Sequence, residues 1–206
     1  LWDATGGRDC HIEFGYSCMG YELPGGVGTR MARKKGEVYV FIGDGTYLLL
    51  PTDLIVALQE GLKMTVILSE NHGYQSIHAL QRHRVRRSFG NEFRHRKQTS
   101  DRLDGKFINI DLAKNAESMG ARSWNAGTIP EFKQALAEAR RVKESCVIVC
   151  EVDTYRQFPG SGIWWDVAAA EVSRDAATRQ SRREYERERA KFQRYYYHTP
   201  VPEKKK

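Results

Sequence analysis

One stretch, residues 38–74, limits most strongly what this chain can fold into. A β-branched and aromatic run comes first, then Gly43-Asp44-Gly45, an amphipathic segment, a second β-branched run, and finally Asn71-His72-Gly73. This order predicts a strand, a tight turn, a helix, a strand and a turn, which is a βαβ unit. Because the two strands of such a unit are parallel, their carboxyl ends open on the same edge of the sheet. The sequence therefore predicts that Asp44 and Asn71 face one another.

The two predicted turns carry groups that a hard divalent cation prefers. Magnesium takes oxygen ligands and commonly completes its coordination shell with substrate phosphates. Gly43 and Gly45 allow the backbone to approach a ligand closely, and the N-terminus of the following helix can offer N–H groups to a phosphate. Taken singly, each tripeptide is also ordinary loop punctuation. Their position on successive strands of one βαβ unit favours a magnesium-diphosphate site.

Further segments make this pattern more specific. Gly-Asp-Gly, followed after about one β-α-β length by Asn71 and Gly73, resembles the cofactor motif of thiamine-diphosphate enzymes. The segments that extend the resemblance are EFGYSCMGYELPGGVGTRMA, ENHGYQSIHALQ, FGNEF, DLAKNAESMGA and WWDVAAAEVS. Together they resemble the C-terminal part of the trihydroxycyclohexane-1,2-dione hydrolase family, over residues 14–185. One departure is Glu70, at a position that is often Asn or Asp in this superfamily.

The resemblance implies a fold, a cofactor and a set of site residues. The implied fold is an α/β three-layer sandwich with a mostly parallel central sheet and helices on both faces, the thiamine-diphosphate-binding fold, to which this chain adds a charged C-terminal helix. The implied cofactors are thiamine diphosphate and Mg²⁺, with the metal bound by Asp44, Asn71 and Gly73. The implied cofactor-binding residues are Ser17, Cys18, Met19, Gly20, Gly43, Asp44, Gly45, Thr46, Asn71, Gly73 and Tyr74. Of these, Met19 matches the bulky apolar position that supports the bent cofactor, and filling the core is its alternative role.

The resemblance also implies an activity and a partner. It implies hydrolysis of the carbon–carbon bond that opens the ring of a small polyol-derived dione, trihydroxycyclohexane-1,2-dione, to 5-deoxy-glucuronate in myo-inositol catabolism. In the superfamily the cofactor is activated by a Glu on a pyrimidine-binding domain, usually from another subunit, and no part of this chain matches that domain. Glu13 and Glu22 do not occupy a matching position, so we name no catalytic residue. We expect a pyrimidine-binding domain or subunit as partner, a homo-oligomer, and no hydrolase activity from the chain alone.

Several alternatives stay open. The cofactor motif does not separate the hydrolase from the acetolactate synthase or 2-oxoacid decarboxylase types. A Rossmann-type nucleotide binder is disfavoured, because no G-x-G-x-x-G opens a helix after Phe41. The net charge of +7, concentrated in residues 82–97 and near the C-terminus, permits nucleic-acid binding. No recognition-helix or RNA-binding signature accompanies that charge, which favours a solvated face or a loop near an anionic ligand.

Composition and cysteine usage limit the cellular setting. A chain of 206 residues with 40% hydrophobic content and no internal repeat predicts one α/β domain. No stretch is long and apolar enough to span a membrane, and the start lacks both a signal pattern and an initiator Met, so we expect part of a longer soluble protein with no membrane partner. The spacing of Cys10, Cys18, Cys146 and Cys150 does not indicate a zinc site and fits a reduced, cytoplasmic location.

The rest of the pattern predicts element boundaries. Predicted helices begin near Glu22 and cover 51–61, 111–119, 129–142 and 168–197, and predicted strands cover 64–68, 121–125 and 146–152. Thr52 or a neighbour is expected to cap the second helix, and Thr128 the helix at 129–142. Because glycines at 25, 26 and 28 would weaken the first helix, we expect close packing to compensate. Residues 71–105 are expected to form a functional loop.

Two domains follow from these boundaries. Residues 1–155 are expected to form a diphosphate- and Mg-binding α/β domain. Residues 156–206 are expected to contain a linker, a Trp164-Trp165 pair that anchors the chain, and a charged helix with a disordered tail. Glu and Arg alternate along that helix at i,i+4 spacing, which is typical of a solvent-exposed helix.

Overall fold

A four-stranded parallel sheet forms the centre of the computed structural model, which describes residue 5 and residues 9–13, 15–156 and 168–192. The strands are β1 (Tyr39–Gly43), β2 (Thr65–Glu70), β3 (Arg122–Ala126) and β4 (Cys146–Glu151). Their order in the sheet is β1-β2-β4-β3, and each neighbouring pair is parallel. Gly43 at the end of β1 pairs with Ser69 near the end of β2. The two predicted turns therefore leave the sheet at the same edge.

The described residues form seven helices. They are α1 (Glu22–Ala32), α2 (Asp44–Leu49), α3 (Asp53–Gln59), α4 (Gln75–Val85), α5 (Leu112–Ser118), α6 (Ile129–Ala139) and α7 (Ala176–Phe192). The chain divides into two compact units, one of Leu1–Gln75 with Gly90–Arg156 and the other of Ser76–Phe89 with Gln157–Lys206. The sheet and all the sequence-predicted site residues belong to the first unit.

Apolar side chains cover both faces of the sheet in the first unit. On one face, residues of α1, α3 and α5 form a buried cluster with alternate residues of the strands, among them Val66, Leu68, Val147 and Val149. On the other face, α6 packs on Ile148 and its neighbours. Alternation along each strand separates the two sets. Because each fully buried side chain of this size contributes about 1.5–3 kcal/mol, these two clusters stabilise the sheet. The predicted α/β fold with helices on both faces is confirmed.

The crossover between β1 and β2 contains two helices, whereas the sequence predicted one. The first, α2, begins directly at Asp44, and the second, α3, follows a bend at Pro51. The sequence analysis missed α2 because Gly45 next to Asp44 is typical of a turn. Thr52 occupies the N-cap position of α3 as predicted, but its side chain makes no capping hydrogen bond. Gly61, with φ +61°, ends the segment as predicted.

A second missed helix is α4, which lies within the region predicted to be a loop. Its charged residues hide the apolar periodicity, because Arg82, His83 and Arg84 crowd its last turn. The charged C-terminal helix is present as α7, and it begins later than predicted, at Ala176. The predicted linker, the Trp164-Trp165 pair and the tail fall in residues 157–167 and 193–206, outside the described residues. The predicted division at residue 155 stays a prediction.

Other helix ends match the sequence. The Thr128 side chain accepts a hydrogen bond from the Glu131 N–H, and the Glu131 carboxylate accepts one from the Thr128 N–H, which is a capping box. Asp111 caps α5 by accepting from the Lys114 N–H. In the part of the chain that the structure describes, no helix combines the length and apolarity needed to cross a membrane.

The glycines of α1 differ in what surrounds them. A Cβ on Gly26 would lie 2.4 Å from Val40 Cγ2 and 3.2 Å from Met64 Sδ, so α1 meets β1 at a distance that excludes a side chain. A Cβ on Gly25 would meet only the ring of Tyr21, and one on Gly28 would meet no atom within 4 Å. Of these three glycines, only Gly26 shows the expected close packing, which offsets the loss of helix stability that glycine causes.

We predict opposite effects for alanine at two of these positions. Gly26→Ala should lower the free energy of unfolding by about 1–3 kcal/mol, because the added methyl group overpacks the contact between α1 and β1. Gly28→Ala should raise it by about 1 kcal/mol, because alanine favours a helix and the space there is open. Denaturant titration of both variants measures the difference. A stability change of the same sign in both would contradict this packing.

Candidate functional site

The Asp44 carboxylate joins the two turns that the sequence predicts to converge. The side chain is buried, with 2% exposure, at the first residue of α2. Its Oδ1 accepts from the Gly45 N–H at 2.6 Å, and its Oδ2 accepts from the Asn71 N–H at 3.0 Å. The Gly73 N–H lies 3.2 Å from Oδ2 and 3.3 Å from Oδ1. One acidic group thus fixes the ends of β1 and β2 relative to each other.

The Asn71 side chain completes a group of three converging polar atoms. One end of its amide lies 3.0 Å from Asp44 Oδ1 and 2.8 Å from the Gly73 carbonyl oxygen. Without a cation, the amide nitrogen occupies that end and donates to both acceptors. If the amide turns over, its oxygen lies there instead, and three oxygens face one another. Adjacent oxygens around Mg²⁺ are about 2.9 Å apart, since each Mg–O bond of the octahedron is about 2.0–2.1 Å long.

This donor set fits Mg²⁺ in both chemistry and spacing. A carboxylate, an amide oxygen and a backbone carbonyl are the hard ligands that the ion prefers. Among the described residues, no group of three or more His, Cys, Asp or Glu side chains is placed to bind a metal ion. A metal at this edge would therefore depend on Asn71 and the Gly73 carbonyl as well as on Asp44.

Backbone contacts from a distant segment shape the turn at Gly73. Gly73 has φ +143°, and a Cβ there would lie 2.2 Å from the Asn91 carbonyl oxygen, so only glycine fits. On either side of it, the Tyr74 N–H donates to the Asn91 carbonyl at 2.7 Å and the Phe93 N–H donates to the His72 carbonyl at 2.9 Å. These hydrogen bonds hold the turn against a segment that follows it by about twenty positions.

The other predicted positions at this edge have different surroundings. A Cβ on Gly43 would meet no atom within 4 Å, which leaves open space beside the end of β1. A Cβ on Gly45 would lie 2.7 Å from the Tyr74 ring, so the ring can pack against this position only because it is glycine. Thr46 lies half-buried in α2. The open space is thus at Gly43, where a ligand could approach the backbone.

Burial makes the carboxylates at this edge harder to ionise. Burial raises the pKa of Asp44, although backbone hydrogen bonds to its carboxylate oppose the effect. Burial also raises the pKa of Glu70; nearby His72 lowers it, and the Asp44 and Glu151 carboxylates raise it further. A raised carboxyl pKa in the folded chain means that stability present at low pH is lost as pH rises through that value. A bound cation would remove this cost.

A shallow depression beside Asp44 has apolar walls. It is lined by Asp44, Leu48, Glu70, His72, Phe93, Ile108, Ile110 and Leu112. Apolar walls exclude water and lower the local dielectric, which strengthens charge interactions. The walls of the depression therefore strengthen the interactions that the Asp44 and Glu70 carboxylates make with other charges.

The turn Ser17–Gly20, which the resemblance assigns to cofactor binding, is ordered by a carboxylate of its own. Glu13 accepts from the Tyr16 N–H at 2.9 Å and from the Cys18 N–H at 2.8 Å, and these bonds lower the pKa of Glu13. Within the turn, Ser17 has φ +53°, and Gly20, with φ +94°, would place a Cβ 3.7 Å from Leu50 Cβ. The turn thus lies near the C-terminal end of α2, whereas Asp44 begins that helix.

The exposure of Met19 bears on its two predicted roles, which are supporting the cofactor and filling the core. Its side chain is 39% exposed, so it does not fill the core. The assignment of Ser17, Cys18, Met19 and Gly20 to the cofactor stays a prediction, as do the assignments of Asp44, Asn71 and Gly73 to the metal.

Sequence reasoning placed the segment that contacts the turn Asn71–Gly73 in a functional loop, without predicting that contact. Asn91 and Phe93 belong to the FGNEF segment, which entered the sequence analysis only as part of a resemblance. A glycine in the second turn is a signal for close backbone approach. It does not identify the segment that approaches, because that pairing is between residues far apart in the chain.

The chain matches known proteins in both sequence and fold. The family model described as "Thiamine pyrophosphate enzyme, C-terminal TPP binding domain" matches residues 1–150. The chain is 39% identical over 173 residues to a 3D-(3,5/4)-trihydroxycyclohexane-1,2-dione hydrolase of Clostridium botulinum. The match covers 84% of this chain and 27% of that protein. A protein of the same name from Geobacillus thermodenitrificans matches with the same identity and the same coverage of both chains, 84% and 27%. The chain thus spans about a quarter of the length of these curated relatives.

Solved structures confirm the fold. A thiamine diphosphate-dependent 4-hydroxybenzoylformate decarboxylase of Rhodococcus jostii matches with a TM-score of 0.54 and 23% identity, over 66% of this chain and 23% of that one. A benzoylformate decarboxylase of Polynucleobacter necessarius matches with a TM-score of 0.54 and 20% identity, over 67% and 24%. The family match and the fold agree with the resemblance described above. The chain therefore belongs to the family of thiamine pyrophosphate enzyme C-terminal TPP-binding domains.

Proposed function

We propose that this chain binds Mg²⁺ and the diphosphate of thiamine diphosphate at the edge formed by the two turns. The observation that carries the proposal is the convergence of two groups on the Asn71 amide, the Asp44 carboxylate at 3.0 Å and the Gly73 carbonyl oxygen at 2.8 Å. The curated relatives support a more specific role, as the cofactor-binding part of an enzyme that hydrolyses trihydroxycyclohexane-1,2-dione. The product would be 5-deoxy-glucuronate, as the resemblance implies.

Each group at the edge has a distinct role in this proposal. Asp44 would supply the charge that attracts the cation, and Asn71 and Gly73 would supply neutral oxygens. The diphosphate and water would complete the shell, as is common for Mg²⁺. The open backbone at Gly43 would let the diphosphate come close to the end of β1. Because Asp44 would be the single negative ligand from this chain and Asn71 and Gly73 would be neutral, the bound Mg²⁺ would keep a net positive charge for the phosphates.

When bound, thiamine diphosphate supplies the carbon nucleophile and electron sink for breaking the bond between two adjacent carbonyl carbons of the dione. The residues of this chain hold and orient it. Asp44 and the turn at Gly73 fix one end, and the hydrogen bonds around Asp44 keep them rigid. The proton transfer that activates the cofactor is assigned to a Glu on a pyrimidine-binding domain, which this chain does not match.

The same proposal extends to partners and location. The match covers 27% of the length of the curated relatives, so most of each relative lies outside it. This supports a pyrimidine-binding domain or subunit as partner, in a homo-oligomeric assembly. All four cysteines are free thiols. Free thiols, two of them exposed, support the cytoplasm as the location.

The remaining candidates have weaker support. The acetolactate synthase and 2-oxoacid decarboxylase types share the fold, but decarboxylase structures at 20–23% identity bear on the fold alone. The curated names at 39% identity favour the hydrolase. In the basic segment 82–97, Arg94 pairs with Glu92 and Arg96 pairs with Asp101. These ion pairs neutralise part of the positive charge of the segment, which weakens its attraction for a nucleic acid.

We predict that Asp44→Asn abolishes Mg²⁺-dependent binding of thiamine diphosphate. The variant keeps an oxygen for the backbone N–H groups and loses the negative charge that attracts the cation. The affinity should fall by more than about 100-fold, since loss of an outer contact alone costs 10–100-fold. Titration calorimetry of the chain with thiamine diphosphate, with Mg²⁺ and with EDTA, measures this. Asp53→Asn, at the start of the neighbouring α3, is the matched control; wild-type affinity in Asp44→Asn would refute the proposal.

A second prediction concerns the stability of the metal-free chain. Asn71→Asp would place a carboxylate 3.0 Å from Asp44 Oδ1 and 2.8 Å from the Gly73 carbonyl. Without metal, we expect a loss of about 1–3 kcal/mol, because two donated hydrogen bonds become repulsions. Mg²⁺ alone should restore the stability. Thermal unfolding with and without Mg²⁺ tests this, and Asn125→Asp on exposed β3 is the control. Equal Mg²⁺-induced shifts in both variants would contradict the three-oxygen site.

A further inference from the structure

A cluster of four side chains lies in the first unit, next to the turn Asn71–Gly73, which we call the metal turn. The cluster takes no part in the proposed binding. We call it the Arg94 cluster; its members are Glu92, Arg94, Phe107 and Tyr155. We propose that Arg94, through this cluster, is a positioning residue that holds the turn Asn71–Gly73 in the conformation that binds Mg²⁺. The inference rests on the proposed function and adds the residues that make its site rigid.

All three guanidinium nitrogens of Arg94 donate hydrogen bonds, two of them to members of the cluster. Its Nε donates to Glu92 Oε2 at 3.2 Å, and its Nη2 donates to the Tyr155 hydroxyl at 2.8 Å. Its Nη1 donates to the Gly105 carbonyl at 2.8 Å. The Tyr155 hydroxyl in turn donates to Glu92 Oε1 at 2.8 Å, which closes a ring of hydrogen bonds. The Arg94 and Glu92 side chains are only 19% and 14% exposed, so this pair is largely removed from water.

The aromatic ring of Phe107 connects Arg94 to the turn. The guanidinium carbon lies 3.6 Å from the centre of that ring. The same ring stacks on His72, with centroids 4.5 Å apart and planes inclined by 25°. His72 is the central residue of the metal turn and has φ +62°, a conformation that needs support from its surroundings. The cluster thus contacts the residue whose backbone is most strained in the turn.

The backbone of the cluster also contacts the turn. Glu92 forms an antiparallel bridge with Gly73, and Arg94 forms one with Phe107. Hydrogen bonds from Tyr74 to Asn91 and from Phe93 to His72 flank the first bridge. The segment that carries Glu92 and Arg94 therefore sets where the Gly73 carbonyl points. If that segment shifts, the carbonyl shifts with it.

Arginine is needed here because of its shape. Its planar group reaches Glu92, Tyr155 and the Gly105 carbonyl together while lying on the Phe107 ring. Lysine keeps the charge, but as a point charge on a flexible stem it cannot make this set of contacts. Loss of part of this network leaves the largely buried Glu92 carboxylate with fewer hydrogen-bond donors. Arg94→Lys should therefore loosen the segment without removing charge from the unit.

The first experiment measures Mg²⁺ affinity in the presence of thiamine diphosphate. For Arg94→Lys we expect an apparent dissociation constant for Mg²⁺ about 10-fold higher than in the wild type, the usual effect of losing an outer contact. Arg140→Lys is the matched control. Arg140 donates to the Tyr39 hydroxyl at 2.9 Å and lies over that ring at 5.9 Å, at the opposite end of β1 from the site. The control should bind Mg²⁺ as the wild type does.

The second experiment needs no ligand and separates positioning from general stability. Hydrogen exchange of the metal-free chain reports on the Tyr74 and Phe93 N–H groups, which donate to Asn91 and His72. In Arg94→Lys these two amides should exchange about 10-fold faster, whereas the Leu68 amide in β2 should be unchanged. Faster exchange throughout the sheet would mean that Arg94 only stabilises the fold, and would overturn the proposal.

A milder variant covers the case in which Arg94→Lys does not fold. Tyr155→Phe removes the two hydrogen bonds of one hydroxyl and leaves the Arg94–Glu92 pair, and we expect about a 2- to 10-fold loss of Mg²⁺ affinity. Tyr39→Phe is its control. Unchanged Mg²⁺ affinity with unchanged exchange in a folded variant would refute the positioning role alone. Failure of the wild type to bind would refute the proposed function, and the exchange measurement would then decide the cluster's effect on the turn.

Discussion

The structure of this site depends on one interaction, the acceptance of backbone N–H groups by the buried Asp44 carboxylate. Gly45, Asn71 and Gly73 donate to it, so the ends of β1 and β2 are fixed by a side chain as well as by the sheet. Hydrogen bonds to a charged acceptor are stronger than those between neutral groups. The same carboxylate is the charged group available to a cation at this edge. Local structure and proposed function therefore rely on the same atoms.

That arrangement has an energetic cost. Burial raises the pKa values of both Asp44 and Glu70, so the metal-free chain carries charge that it cannot fully solvate. Glu70, which stands where the superfamily often has Asn or Asp, adds to the negative field at this edge. A divalent cation offsets that field and turns an unfavourable charge into a favourable contact. Binding and stability should therefore be coupled here.

The sequence was informative where contacts are local. The βαβ unit and the facing of Asp44 and Asn71 followed from strand and turn signals, and Thr128 was correctly predicted to cap its helix. The short α2 was not predicted, because tertiary contacts stabilise a helix that its glycine disfavours. The Arg94 cluster was not predictable either, because Arg94 meets Tyr155 only through long-range folding. Local pattern thus identified Asp44 and Asn71 as facing groups, and only the structure identified the segment that contacts their turn.

The most direct test of this account is magnetic resonance of the chain with Mn²⁺ in place of Mg²⁺, in the presence of thiamine diphosphate. With carbon-13 at the glycine carbonyls, the account predicts electron–nuclear coupling from Mn²⁺ to one carbonyl carbon, assigned to Gly73, together with coupling to the phosphorus of the diphosphate. Coupling to phosphorus with none to a glycine carbonyl, as for the Mn²⁺ complex of the free cofactor, would contradict it.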